Sequence, residues 1–231
     1  MFFTKSDAST AFVQRKIYEE HCRLHREHMA YDVDTLLAAL QASFIYIIVQ
    51  GEGTSSLTCH MQHNGVVRSI LNNCVDIGKQ LHQLSDYEST LEISGDIRQM
   101  RSNWVLKESI KRSYCLLYGI ELLSGIPAVT AESRRSECRH GYTRVPLPSS
   151  RDLWSSASNQ EWARQYKQFC GTKSQENVLR IQDLVSSLQS SVVDDGTALS
   201  LDAHKDISEW CERLDEFGML VWMATMLEQG L

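Results

Sequence analysis

The chain has 231 residues, 42% of them hydrophobic, only three prolines, and a formal net charge of −6 at pH 7. That length can bury a real core, as one large domain or two small ones. The acidic balance speaks against non-specific binding to nucleic acid or to acidic membranes, since neither gains from a negative partner. Seven cysteines (Cys22, Cys59, Cys74, Cys115, Cys138, Cys170 and Cys211) form an odd, scattered set with no CxxC spacing. This usage reads as a reduced intracellular protein, nuclear or cytoplasmic, with thiols serving as small hydrophobes. The opening Met-Phe-Phe-Thr-Lys lacks the apolar run of a signal peptide.

Thr10 to Tyr31 reads as a first amphipathic helix, with Val13, Ile17, Leu24 and Tyr31 as its stripe. His21, His25 and His28 fall on one arc beside that stripe, with Cys22 next to them. Imidazoles at this spacing share a helix face and could ligate a metal. Three from one straight helix rarely converge on a single ion, however, so they read as solvated histidines, and no metal or other cofactor is expected. Asp34 is the expected cap of a second helix running to Gln50, apolar nearly all round and therefore requiring enclosure by other helices. Its most hydrophobic part, Leu36 to Val49, contains Gln41 and reads as too short to span a bilayer, which makes the chain a soluble one without a membrane role. Gly51 to Ser56 reads as a turn. Cys59, His60 and His63 beyond it offer another metal-ligand arrangement with little to support it. From Asn64, a candidate cap, Val67, Ile70, Leu71, Cys74, Ile77, Leu81 and Leu84 keep helical spacing for about six turns. Ser85 to Ser94 is a short polar link.

Ser102 to Gly125, SNWVLKESIKRSYCLLYGIELLSG, is the stretch around which the chain reads as organised. Ser102 is the expected N-cap, and Gly125 with Ile126-Pro127 the stop. Trp104, Glu108, Arg112 and Cys115 follow at spacings of four, four and three, so they share a face. Glu108 and Arg112 can bridge on one helix. A guanidinium forks into a carboxylate at any working pH, which suits a partly buried pair beside an indole. A ligand pocket, if the chain has one, is expected here, lined by Trp104, Glu108 and Arg112 with Tyr114 or Trp154 nearby. The alternative is a structural clasp holding this helix against 145–162. No nucleophile–base pair, metal motif or phosphate loop is evident, so no catalytic residue is assigned and enzyme activity stays open.

The segment 126–150 loses helical period, and Val145-Pro146-Leu147-Pro148 must be extended, because a residue before proline is pushed out of the α region. Arg134, Arg135, Arg139, His140 and Arg144 make a basic cluster diluted by Glu132 and Glu137, more suited to a solvated loop than to phosphates. Ser158 with Glu161 three residues on is a capping box. Further helices are expected from Ser174 and from Ser200, the latter running through Ile207, Trp210, Leu214, Phe217 and Val221 to Thr225. The whole predicts an all-α bundle of about seven helices with one irregular connection, organised as a single helical domain over 1–231.

The order of LLAALQASFIYII at 36–48, SNWVLKESIKRSYCLLYGIELLSG at 102–125 and VPLPSSRDLWSSASNQEW at 145–162 resembles fungal zinc-cluster transcription factors. The similar region is the latter part of their regulatory domain, the middle homology region, and the likeness runs in order and spacing over residues 1–170. Trp104, Glu108, Ser109, Arg112, Pro148, Leu153, Trp154, Ala157, Glu161 and Trp162 occupy its pattern positions. Lys111 and Ser113 stand where that pattern has Arg and Thr, and Ser149 where it often has Cys. The sequence has no six-cysteine cluster and no paired Cys2His2 finger, and at Met1 it reads as already inside the regulatory domain. The resemblance therefore implies a stand-alone or truncated regulatory module. It would act through a protein partner or a homodimer, without direct nucleic-acid binding, in control of a metabolic gene cluster. The alternative is a helical small-molecule-binding protein or enzyme of a fungal biosynthetic pathway derived from that domain.

Overall fold

A computed structural model describes residues 7–51, 65–89, 95–124, 144–172, 178–190 and 201–228. Among them are nine α-helices: α1 (Asp7–Glu27), α2 (Val33–Gly51), α3 (Gly65–Leu84), α4 (Ile97–Ser124), α5 (Arg151–Trp154), α6 (Asn159–Thr172), α7 (Ile181–Ser190), α8 (Leu201–Glu212) and α9 (Glu216–Glu228). A 3-10 turn, His28–Ala30, follows α1. The described residues hold no β-strand, only an isolated antiparallel bridge between Pro146 and Arg180. The chain is all-α, as its period-3.6 patterning indicates. It has nine helices rather than about seven because α5 forms between the expected irregular connection at 126–150 and the helix expected from Ser158, and because the last expected helix is broken at Arg213–Asp215. Most of the expected irregular connection, with Arg134, Arg135, Arg139 and His140, lies outside the described residues, as do Cys59, His60, His63, Asn64 and Ser174.

The described residues up to Ser85 form one compact unit, and those from Asp86 to Leu123 and from 144 onward form another. In the first, α2 packs along α3, burying Leu36, Leu40, Phe44 and Ile47 on one helix and Val67, Ile70, Leu71, Cys74, Ile77 and Leu81 on the other. The cap of α2 is Asp32, not Asp34: its Oδ1 accepts the Thr35 N–H at 2.9 Å. Two further expectations change. First, α2 is not enclosed, for Ile45, Ile48 and Val49 are exposed along its outer face. Second, with 19 residues it is roughly 28 Å long and, by length and composition alone, long and apolar enough to cross a bilayer, whereas the sequence reads as too short.

The histidines of α1 are also placed differently from expectation. His21 and His28 are buried and only His25 is exposed, while Val13 of the expected stripe faces solvent. His21 Nε2 lies 2.9 Å from Ser69 Oγ on α3, and its Nδ1 lies 3.4 Å from the amide nitrogen of buried Asn73. His28 turns back to the His25 carbonyl at 2.8 Å. His21 is thus taken up by the α1–α3 seam and His28 by the backbone before it, and burial pushes the His21 pKa below its ordinary value, with His25 adding to the shift. Among the described residues no group of three His, Cys, Asp or Glu side chains is arranged to hold a metal ion.

In the second unit α4 is the spine. It starts five residues before the expected Ser102, because Asp96 caps it by accepting the Arg98 N–H at 2.9 Å. Val145–Pro148 is non-helical, as the prolines require, and buried, with Pro146 in the bridge to Arg180. The Leu147 N–H donates to the Leu179 carbonyl at 2.8 Å, and the Ile181 N–H to the Val145 carbonyl at 3.1 Å. Trp210 Nε1–H donates to the Pro148 carbonyl at 2.8 Å. The capping box at Ser158 forms, with the Glu161 N–H donating to Ser158 Oγ at 3.1 Å, although Glu161 reaches back to the Ala157 N–H rather than that of Ser158. Gly119 of α4 faces α9, where a Cβ would sit at ordinary contact distance, 3.7 Å from Leu220 Cδ2 and 3.9 Å from Ala224 Cβ.

Candidate functional site

Glu108 is fully buried, and an ionised carboxylate taken out of water is expensive unless paired and hydrogen-bonded. Its Oε1 accepts from Arg112 Nε at 3.0 Å and from the Ser149 backbone N–H at 2.7 Å, and its Oε2 accepts from Ser149 Oγ at 2.8 Å. Arg112 in turn sends Nη2 to Asp215 Oδ2 at 2.7 Å and towards the Ser149 carbonyl at 3.4 Å. The other Asp215 oxygen accepts the Gly218 N–H at 2.7 Å, capping α9. One guanidinium therefore joins two carboxylates from distant parts of the sequence, and each carboxylate oxygen has a protein donor.

The faces of the guanidinium are covered as well. Its carbon lies 4.2 Å from the Trp154 ring centroid and 5.2 Å from that of Phe217, a cation–π arrangement that favours Arg over Lys. Trp104 sits 6.1 Å from Trp154 and 5.8 Å from Trp162, and Trp162 stacks on Tyr166 at 5.0 Å. Trp104, Trp162 and Tyr166, with Met100 and Leu153, make a buried apolar cluster between α4, α5 and α6, and Trp154 at its edge is exposed. Trp162 has no exposure, and its Nε1–H has no hydrogen-bond partner among the described residues.

Of the five sequence candidates, Trp104, Glu108, Arg112 and Trp154 are brought together. Tyr114 belongs elsewhere, its ring packed on Tyr87 at 5.2 Å and its phenol pKa raised by burial. Ser149, Phe217 and above all Asp215 complete the group and were not assigned from the sequence. Asp215 followed three residues later by Gly218 carries a cap signal, but unbroken apolar spacing through Leu214, Phe217 and Val221 conceals it. The break is held open from the other side by Arg151, whose Nε and Nη2 donate to the Leu214 carbonyl at 3.0 and 2.5 Å.

Chemically this group can hold, and little else. Its four carboxylate oxygens each already accept from a fixed protein donor. The nearby Cys115 thiol is fully buried, and burial pushes its pKa up; burial likewise raises that of Cys74, to about 12. Such thiols are inert as nucleophiles. A groove of about 560 Å³ lies elsewhere, in the first unit, where Phe12, Val13, Ile17 and Tyr46 make apolar walls and Lys16, Glu19, Glu20, Arg23 and Arg26 line it with charge. Comparison of the chain with protein-family models, with curated proteins and with solved structures found no match.

Proposed function

We propose that this chain is a regulatory module that works through protein contacts, of the kind its resemblance to the fungal zinc-cluster regulatory domain implies, linked to control of a metabolic gene cluster. The observation that carries this reading is the saturation of the pattern residues. Trp104, Glu108, Arg112 and Trp154 are spent on one another, on Ser149 and on Asp215, so the most distinctive part of the sequence is a clasp that sets the fold. What remains for function is surface, and both units present apolar side chains to solvent: Ile45, Ile48 and Val49 in the first, Met219, Met223 and Leu227 in the second. In this reading the acidic chain acts inside the cell, in nucleus or cytoplasm, without reading DNA itself and without a membrane.

The test is removal of the gene in its source organism followed by transcript profiling. A regulator gives a coordinated change across a set of neighbouring genes, restored by the wild-type chain. Unchanged transcripts with a single accumulating intermediate would instead establish the runner-up, a small-molecule binder or enzyme, which has the groove along α1 in its favour. Native mass spectrometry of the purified chain separates the same two readings by a retained small molecule.

A further inference from the structure

Ser69 is exposed on α3, and its Oγ lies 2.9 Å from Nε2 of His21 on α1. His21 is only 3% exposed, and its other ring nitrogen, Nδ1, lies 3.4 Å from the side-chain amide of buried Asn73. Ser69 and Asn73 stand four apart on α3 and so share a face, with the imidazole held between them. An accessible hydroxyl, a ring within hydrogen-bond reach of it, and a third group on the far ring nitrogen are the parts of an activated nucleophile. The order of the nitrogens is that of serine and cysteine triads, including those whose third member is Asn. Access is open as well. Gly65, one turn before Ser69, is exposed, and a Cβ there would meet nothing within 4 Å. The exposed Tyr18 ring lies 6.5 Å from that of His21, a flat apolar surface next to the base.

We propose that Ser69 is an acyl-accepting nucleophile with His21 as its general base and Asn73 positioning that base, and that its substrates are small activated acyl donors, aryl esters or thioesters. The proposal stands beside the regulatory reading and does not rest on it. The Asn73 amide turns Nδ2 to His21 Nδ1 and Oδ1 to His25 Nδ1, each at 3.4 Å. A half-turn of the amide exchanges oxygen and nitrogen in the same space, and the exposed His25 takes either ring tautomer to match. With Oδ1 on His21, the imidazole carries its proton on Nδ1 and presents a bare Nε2 to the Ser69 hydroxyl. Burial holds the His21 pKa below its ordinary value, so near neutral pH the ring is uncharged and able to take a proton. In the reaction Ser69 Oγ bonds to the acyl carbon while its proton passes to His21 Nε2. The bond from that carbon to the leaving oxygen or sulfur then breaks, and the departing phenolate or thiolate takes its electron pair and the proton from His21. General-base assistance is worth about 10²–10⁴-fold, enough for a weakly basic leaving group, which is why the class is activated esters and not amides. Release of the acyl group by water must expel the more basic serine alkoxide, so the acyl-serine accumulates.

The experiment mixes the full chain with p-nitrophenyl acetate, follows the burst of p-nitrophenolate, and locates the acetyl group by peptide mass spectrometry. The folded chain is expected to acquire acetyl on Ser69 at least about 10²-fold faster than the same chain unfolded in urea. Ser69→Ala, a change at an exposed position, is expected to keep the melting temperature and lose the burst. His21→Gln keeps a polar partner for the hydroxyl but no base, and is expected to slow Ser69 acetylation about 10²-fold. Asn73→Asp retains an acceptor for the His21 Nδ1–H and is expected to retain the burst, whereas Asn73→Leu removes the acceptor and is expected to slow it. Absence of acetyl from Ser69 overturns the proposal. So does a Ser69 rate that is the same in the folded and unfolded chains, or one that His21→Gln leaves unchanged. A burst lost equally in Asn73→Asp and Asn73→Leu overturns the positioning role of Asn73. None of these results depends on the transcript profile, so failure here and failure of the regulatory reading are seen separately.

Discussion

Glu108→Gln preserves the shape of the clasp and removes one charge. With the Gln oxygen at the Oε1 position, the bonds from the Ser149 N–H and from Arg112 Nε are kept. Its NH2 then replaces the acceptor that faced Ser149 Oγ, and that hydroxyl can rotate to accept instead. The number of hydrogen bonds is unchanged. What is lost is charge assistance, since bonds to an ionised group are worth about 1.5–3 kcal/mol and neutral ones about 0.5–1.5. Against this stands a partial relief, because Glu108 and Asp215 together outnumber the one guanidinium and leave an excess buried negative charge. Arg112 also keeps Asp215 in the variant. The net loss is therefore expected at about 1–3 kcal/mol, below the 3–5 that follow when a buried pair is broken outright. For a chain of this size that is a fall in melting temperature of roughly 2–12 °C. Differential scanning calorimetry of wild type, Glu108→Gln and Glu108→Ala checks it, with Ala expected to lose more because the Ser149 N–H is left without an acceptor. A normal melting temperature in Glu108→Gln together with abolished function would refute the clasp and restore a ligand or catalytic role to this carboxylate.

Asp215→Asn is expected to be more damaging than its size suggests. Its oxygen can still cap Gly218, but its NH2 then points at the Arg112 fork, so a loss of about 2–4 kcal/mol should appear in denaturant unfolding. Trp162→Phe removes an indole N–H that has no partner among the described residues and is expected to cost less than about 2 kcal/mol, against about 3–5 for Trp162→Ala, as read from urea midpoints. Gly119→Ala places its methyl at ordinary contact distance from Leu220 and Ala224 and is expected to raise stability by about 0.5–1 kcal/mol through helix propensity; a loss would show that α9 tolerates no Cβ there. His21 is buried with its pKa below the ordinary 6.5, so between the two values the unfolded chain binds more protons. The stability it contributes is complete above about pH 6.5 and falls as pH drops through the folded value. Replacement of His21 by Gln should flatten that slope in melting curves taken between pH 7.5 and 5 (about 6.5 being the unperturbed imidazole value).

The all-α class, the face shared by Trp104, Glu108 and Arg112, the non-helical Val145–Pro148 and the cap at Ser158 were determined by the sequence alone. Each rests on local physics: helical period, i to i+4 reach, the steric restriction before proline, and a hydroxyl within reach of a free N–H. The packing partners were decided only by tertiary structure. Nothing near Arg112 in sequence announces Asp215, because that pairing depends on where the chain returns, and the cap that ends α8 and starts α9 is masked by apolar residues that keep step through it. The α1 histidines show the same limit. Their spacing places them on one arc, but which of them is buried depends on Ser69 and Asn73 of α3 arriving opposite His21. The apolar pattern of α2 shows that it must be covered somewhere, yet only the placement of α3 leaves Ile45, Ile48 and Val49 facing outward. Periodicity records how much of a helix is apolar, and the neighbours that fold against it decide which part of that surface meets water.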